Sequence, residues 1–137
     1  MRAITALSAL YLLLACTVSH AETPAQIRQV YAGESVAQQP GFAPSAKRGE
    51  QLFRQSFKQN DKMPPCTSCH TERATEAGQH VVTGKPIRAL AVSANAERFT
   101  DPAKVEKWFG RNCKEVLGRP CAPAEKADFV AFMSEVR

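Results

Sequence analysis

After its first 21 residues the chain contains no apolar stretch near the ~20 residues that a transmembrane helix needs, so no mature bilayer-spanning helix is expected. Massed charge is also absent. Eighteen Lys and Arg against 13 Asp and Glu give a net charge of +5, with basic residues scattered among acidic ones, which argues against nucleic acid as a partner. Histidine and methionine are scarce, at three each, so candidate metal ligands are few. There is one C-x-x-C and no second, no H-x-x-x-H, and no strand-helix-strand frame around the pair. A zinc centre and a thioredoxin-like redox couple are therefore both incomplete. No acid/base pair can be assigned from the sequence as a catalytic couple.

What is present is Pro64-Pro65-Cys66-Thr67-Ser68-Cys69-His70, which contains C-x-x-C-H. Two thiols three positions apart can add to the two vinyl groups of one porphyrin, and the adjoining His70 can then ligate the iron through a neutral imidazole nitrogen. The spacing follows from the cofactor. Cys66, Cys69 and His70 are accordingly assigned to one covalent haem c.

The N-terminus has the form of an export signal. Met1-Arg2 is a short positive region, Ala3 to Ala15 an apolar run, and Ser19-His20-Ala21 a small-residue cleavage site, so residues 1–21 read as a signal peptide. Leu13-Leu14-Ala15-Cys16 loosely resembles a lipobox and keeps lipoprotein processing at Cys16 as an alternative. Of five cysteines, Cys16 leaves with the leader and Cys66 and Cys69 serve the haem, so Cys113 and Cys121 remain as one candidate disulfide. An oxidising compartment permits both that bond and haem attachment, and a bacterial periplasm is the expected address. In that setting the mild basic excess reads as a solvated surface, with an acidic redox partner as the functional reading.

Along the mature chain, Thr23-Pro24-Ala25-Gln26 forms a capping box, and Ile27, Val30 and Tyr31 predict a short amphipathic helix to about Gly33 or a little beyond. Residues 22–44 are taken as this helix and a turn-rich linker, and residues 45–137 as the haem domain. Ser45 caps a predicted helix of about 13 residues carrying Leu52, Phe53 and Phe57. Gly49, four before Phe53, shares its face and allows another backbone to approach closely. This Gly and aromatic pair before C-x-x-C-H resembles the first helix of class I cytochromes c. Between Thr71 and Phe99 no long periodic segment occurs and no sheet is required. Asp101-Pro102 starts a third helix, predicted to end at Gly110, with Val105, Trp108 and Phe109 on one face and Trp108 expected in the core, where an indole beside a haem would also fit. A last helix begins near Pro123 with Phe129, Phe132, Met133 and Val136 inward.

Function turns on the sixth ligand of the iron. Met63 lies only three residues before Cys66, Met133 sits on the inward stripe of the last helix, and His80 falls in a polar loop. Arg98-Phe99-Thr100-Asp101, Val105-Glu106-Lys107-Trp108, Gly110-Arg111-Asn112-Cys113, Gly118-Arg119, Cys121 and Glu125-Lys126-Ala127-Asp128 resemble the small high-spin cytochromes c of the sphaeroides haem protein family. Ala77-Gly78-Gln79 and Thr83-Gly84-Lys85 extend the match. The resemblance implies an all-α, class I cytochrome c-like fold and an asparagine, here Asn112, as sixth ligand of the oxidised iron, next to the Cys113 to Cys121 disulfide. It further implies that this ligand leaves on reduction, that oxygen or nitric oxide binds the ferrous haem, and that electrons come from a dihaem or other c-type cytochrome. An amide oxygen is a hard, weak donor that suits Fe(III) better than Fe(II). The alternatives are an ordinary six-coordinate carrier using Met133 or His80, or a slow haem redox enzyme acting on bound gas.

Overall fold

The computed structural model describes residues 21–57 and 65–137. The expected signal peptide but for Ala21, Cys16, the expected polar loop at 59–63 with Met63, and Pro64 all lie outside the described residues. Among the described residues five helices and one small hairpin follow in order: α1 Pro24–Gln38, α2 Ala46–Arg54, α3 Thr67–His70, β1 Gly78–Gln79, β2 Pro86–Ile87, α4 Pro102–Leu117 and α5 Pro123–Glu135.

The helix starts follow their caps. The Thr23 hydroxyl accepts the Gln26 N–H at 3.2 Å while Gln26 Oε1 accepts the Thr23 N–H at 2.8 Å, and Pro24 stands first in the helix. Ser45 and Asp101 cap α2 and α4 by accepting from Arg48 N–H and Lys104 N–H. The ends are less faithful to expectation. Helix α1 continues to Gln38, because Tyr31, Ala32 and Ser35 are still buried and the Ser35 hydroxyl donates to the Tyr31 carbonyl. Helix α2 stops at Arg54, several residues early, where Gln55 turns extended (ψ 132°).

The larger correction concerns α4. Gly110 does not end it; the helix runs on to Leu117 and ends at Gly118, whose φ of 72° is the left-handed cap that glycine adopts without strain. Cys113, Val116 and Leu117 continue the buried stripe beyond Gly110, and their packing outweighs the ~1 kcal/mol propensity cost of an interior glycine. Trp108 departs from the expected core position. It is 43% exposed whereas Val105 is buried and Phe109 half-buried, because it lies to one side of the inward stripe.

Helix α5 is the spine against which α1 and α2 pack. At the α2–α5 crossing a Cβ on Gly49 would overlap the Asp128 carbonyl, lying 2.6 Å from its carbon and 2.9 Å from Phe132 Cβ. Only a glycine lets the backbones meet so closely. Asp128, buried, then clamps the crossing: its carboxylate accepts Ser45 N–H at 2.7 Å and Arg48 Nε–H and Nη2–H at 2.6 and 2.8 Å. Charge-assisted, forked bonds of this kind satisfy a carboxylate that burial would otherwise penalise. Phe53, Phe132, Met133, Leu90, Ala91 and Ala74 form one core cluster, and Ile27, Tyr31, Val105, Ala127 and Val130 a second. Phe99 joins both. On the second cluster Tyr31 packs edge-on to Phe109 and donates its hydroxyl to Glu106 Oε1 at 2.6 Å, tying α1 to α4.

Candidate functional site

The haem motif folds as the single turn α3. Cys69 N–H and His70 N–H both donate to the Cys66 carbonyl, at 3.2 and 3.0 Å. Helical spacing of three and four therefore places Cys66, Cys69 and His70 on one side of one turn. Both thiols are free and half-buried, with Cys66 against the first core cluster. Burial, and then the neighbouring Cys69, pushes the Cys66 thiol up to about 11. Burial, reinforced by the Arg98 cation, pulls the His70 imidazole down to about 4. A neutral ring keeps the lone pair that ligation demands. Arg98 is itself pinned, donating from Nε to the Ala89 carbonyl at 2.9 Å and from Nη2 to the Arg88 carbonyl at 2.6 Å.

Behind this turn lies the hairpin that sequence reading had not required: Gly78 pairs with Ile87 and Gln79 with Pro86. A Cβ on Gly78 would come within 2.9 Å of the Cys69 carbonyl carbon and 3.0 Å of His70 Cα, so this strand lies directly on the ligand turn. The hairpin tip reaches the second thiol, with Val81 N–H 3.4 Å from Cys69 Sγ. His80 is held within the same tip, its Nδ1 accepting the N–H groups of Val82 and Thr83, each at 3.2 Å. Met133 is fully buried among Phe53, Phe132 and Ala91.

Asn112 sits inside α4, not at a helix end, and is exposed. Its side chain makes no hydrogen bond among the described residues, although asparagine is a poor helix-interior residue. The next residue, Cys113, is buried and disulfide-bonded to Cys121, with 5.5 Å between their Cα atoms, which ties the end of α4 to the start of α5. The intervening turn is held by Arg119, which donates to Glu125 at 2.6 and 2.8 Å, and by Ala122 N–H, which donates to the same carboxylate at 2.8 Å. The Arg119 hydrogen bond holds the Glu125 carboxyl below its usual range despite partial burial.

The residues present fit a haem. Two thiols and a neutral imidazole share one turn, and no group of three or more His, Cys, Asp or Glu among the described residues could hold an ion in its place. Apolar surface is also on offer: Val81 and Val82, 47% and 61% exposed, stand beside Cys69, and Trp108 lies one turn before Asn112. A porphyrin is the kind of flat apolar body that such side chains cover. Sequence reading assigned no role to Gly78, Arg98 or Asp128. The close approach at Gly78 had a signal in a glycine eight residues after His70; the other two depend on long-range contacts.

Comparison with known proteins fits this geometry. A family model described as a domain of unknown function, DUF1924, matches residues 39–133. Cytochrome c-type protein SHP of Cereibacter sphaeroides is 48% identical over 108 residues, covering 77% of this chain and 81% of that protein. Cytochrome c'' of Methylophilus methylotrophus is 44% identical over 92 residues, covering 66% of this chain and 64% of that protein. Among solved structures, oxidised SHP, an oxygen-binding cytochrome c, superposes with a TM-score of 0.75 at 43% identity, covering 83% of this chain and 97% of that one. Oxidised cytochrome c'' superposes with a TM-score of 0.76 at 35% identity, covering 83% and 94%.

Proposed function

Because the chain belongs to the family of sphaeroides haem protein and cytochrome c'', we propose that it is a periplasmic high-spin monohaem cytochrome c that carries electrons and opens on reduction to bind a diatomic gas. The haem supplies a one-electron couple and an iron position at which oxygen or nitric oxide binds. Cys66 and Cys69 would hold it as thioethers, with His70 as the ligand from the same turn. Asn112 would offer its amide oxygen to the oxidised iron and would bind the reduced iron poorly, since a hard neutral donor suits Fe(III) better than Fe(II). The disulfide restrains the helix end that carries Asn112, so the released side chain stays near its position. The role proposed is electron transfer and gas binding, with slow redox chemistry on bound gas as the alternative. Electrons are supplied by a dihaem or other c-type cytochrome. Residues 45–137 form the haem domain, residues 22–44 pack on it, and residues 1–21 direct export.

The observation that supports this reading is the single turn bearing two free thiols and a neutral histidine, with an exposed asparagine, making no side-chain hydrogen bond among the described residues, in the helix that the disulfide fixes. Spectra of two Asn112 variants test it. Asn112→Ala should leave ferric iron five-coordinate or water-bound while the ferrous spectrum and its carbon monoxide complex change little. Asn112→His should ligate both oxidation states and suppress carbon monoxide binding. Unchanged ferric spectra in both variants would overturn the assignment.

A further inference from the structure

The residue that follows His70 is held where its type should not be. Thr71 has φ 62° and ψ 171°, a backbone region that glycine enters freely and that a β-branched residue enters only under strain. Such a conformation persists where the surrounding structure over-determines it, and here it does so on both flanks.

Behind the ligand turn stands the β1 strand. A Cβ on Gly78 would overlap the Cys69 carbonyl and lie 3.0 Å from His70 Cα, so the turn has no room to back away. Ahead stands Ala74, which is buried and whose carbonyl accepts the N–H groups of Leu90 and Ala91 at 2.9 and 2.8 Å. The stretch that holds Ala74 is braced in turn by Arg98, through its bonds to the Arg88 and Ala89 carbonyls. Only Thr71, Glu72 and Arg73 join these two fixed points. The Thr71 hydroxyl then closes the connection, donating to the Arg73 carbonyl at 2.9 Å and accepting the Arg73 N–H at 3.2 Å. That local tie opposes relaxation of the strained peptide, and one substitution removes it while the strand and the core stay in place.

Resting on the haem reading, we infer that Thr71 is a positioning residue for the histidine ligand: it fixes the main chain of His70, so that the imidazole cannot follow the iron when a gas binds. High-spin ferrous iron is too large for the porphyrin plane and lies displaced toward its histidine, and a sixth ligand draws it back into the plane. An imidazole on a yielding backbone moves with it. On a backbone stopped from behind by Gly78 and tied ahead by Thr71, the bond between iron and imidazole is stretched instead, which disfavours the gas complex and speeds release. The strained peptide therefore keeps gas binding reversible, and it does so independently of Asn112.

Two measurements on the dithionite-reduced holo protein test this. Resonance Raman spectroscopy reads the stretching band between iron and imidazole, and displacement by nitric oxide reads the rate of carbon monoxide release. Thr71→Gly removes both strain and tie, Thr71→Val removes the tie in a side chain of the same shape, and Thr71→Ser keeps the tie. The Gly and Val variants should show the band at higher frequency than the native chain and release carbon monoxide at least about fivefold more slowly, the low end for strain of this kind. Thr71→Ser should restore native behaviour in both. Arg73→Ala is the control, because the tie uses only the main chain of Arg73, and it should match the native protein.

An unmoved band with unchanged release in Thr71→Gly and Thr71→Val would overturn the inference. So would a loss of thermal stability in those variants with the band unmoved, since Thr71 would then serve the fold and not the iron. If Thr71→Gly takes up no haem, the Thr71→Val and Thr71→Ser pair decides by the same two readouts. A native protein without haem absorbance, or one that is low-spin when reduced, would instead strike the haem reading and take this inference with it.

Discussion

Gly49→Ala puts the packing account at risk because its sign, not only its size, is at stake. In an exposed helix interior the change stabilises by about 1 kcal/mol, through propensity and a less disordered unfolded chain. At Gly49 the added methyl would meet the Asp128 carbonyl and lie 2.9 Å from Phe132 Cβ. Restoring ordinary contact requires α2 and α5 to part by about an ångström, and overpacking of that kind costs about 1–3 kcal/mol. The same shift loosens the Arg48 and Ser45 bonds to Asp128 and the Phe53 to Phe132 contact, whose centroids are 5.8 Å apart. Set against the propensity gain, a net loss of about 2 kcal/mol is expected. Gly33→Ala is the control, since a Cβ there meets nothing within 4 Å, and it should stabilise by about 0.5–1 kcal/mol. Guanidinium unfolding of the ferric holo protein, followed by circular dichroism, measures both. If Gly49→Ala stabilises as Gly33→Ala does, the helices do not cross as described.

Three further outcomes are expected. Cys113 and Cys121 are bonded, so thiol alkylation of the exported protein before and after reduction should differ by two labels, and two free thiols in fresh protein would refute the bond. Tyr31→Phe keeps the ring against Phe109 but removes the 2.6 Å bond to Glu106; it should cost about 1.5 kcal/mol in unfolding, the low end for a bond to a charged group, because Glu106 is half-exposed. Burial raises the Glu106 carboxyl, but the bonds from Lys126 and Tyr31 outweigh it and hold the group below its usual range. A depressed carboxylate stabilises the fold above its unfolded pKa and loses that contribution as pH falls through its folded one. The native chain should therefore lose its stability advantage over Glu106→Gln on acidification through the carboxylate range, and a pH-independent difference would contradict the linkage.

Features written locally were legible in the sequence. Thr23, Ser45 and Asp101 each cap a helix because a side-chain oxygen beside an orphan N–H is a matter of three residues. C-x-x-C-H and the Gly49 to Phe53 spacing were legible for the same reason. Gly110 misled because a glycine ends a helix only where the backbone goes left-handed, and that happens at Gly118, after a buried stripe that the disulfide extends. Trp108 misled because an apolar residue at helical spacing was assumed to face the protein core. Its exposure instead marks the side that the haem is proposed to cover. The Asp128 clamp and the pinned Arg98 join residues far apart in sequence, and no local pattern announces them.

The central claim is that reduction frees a coordination position on the iron, and absorption spectroscopy of the native protein tests it most directly. Dithionite-reduced protein should be high-spin, and carbon monoxide should convert it fully to the low-spin complex. A ferrous spectrum that is already low-spin and indifferent to carbon monoxide would require a strong permanent ligand such as Met133 or His80, and would make the protein an ordinary electron carrier.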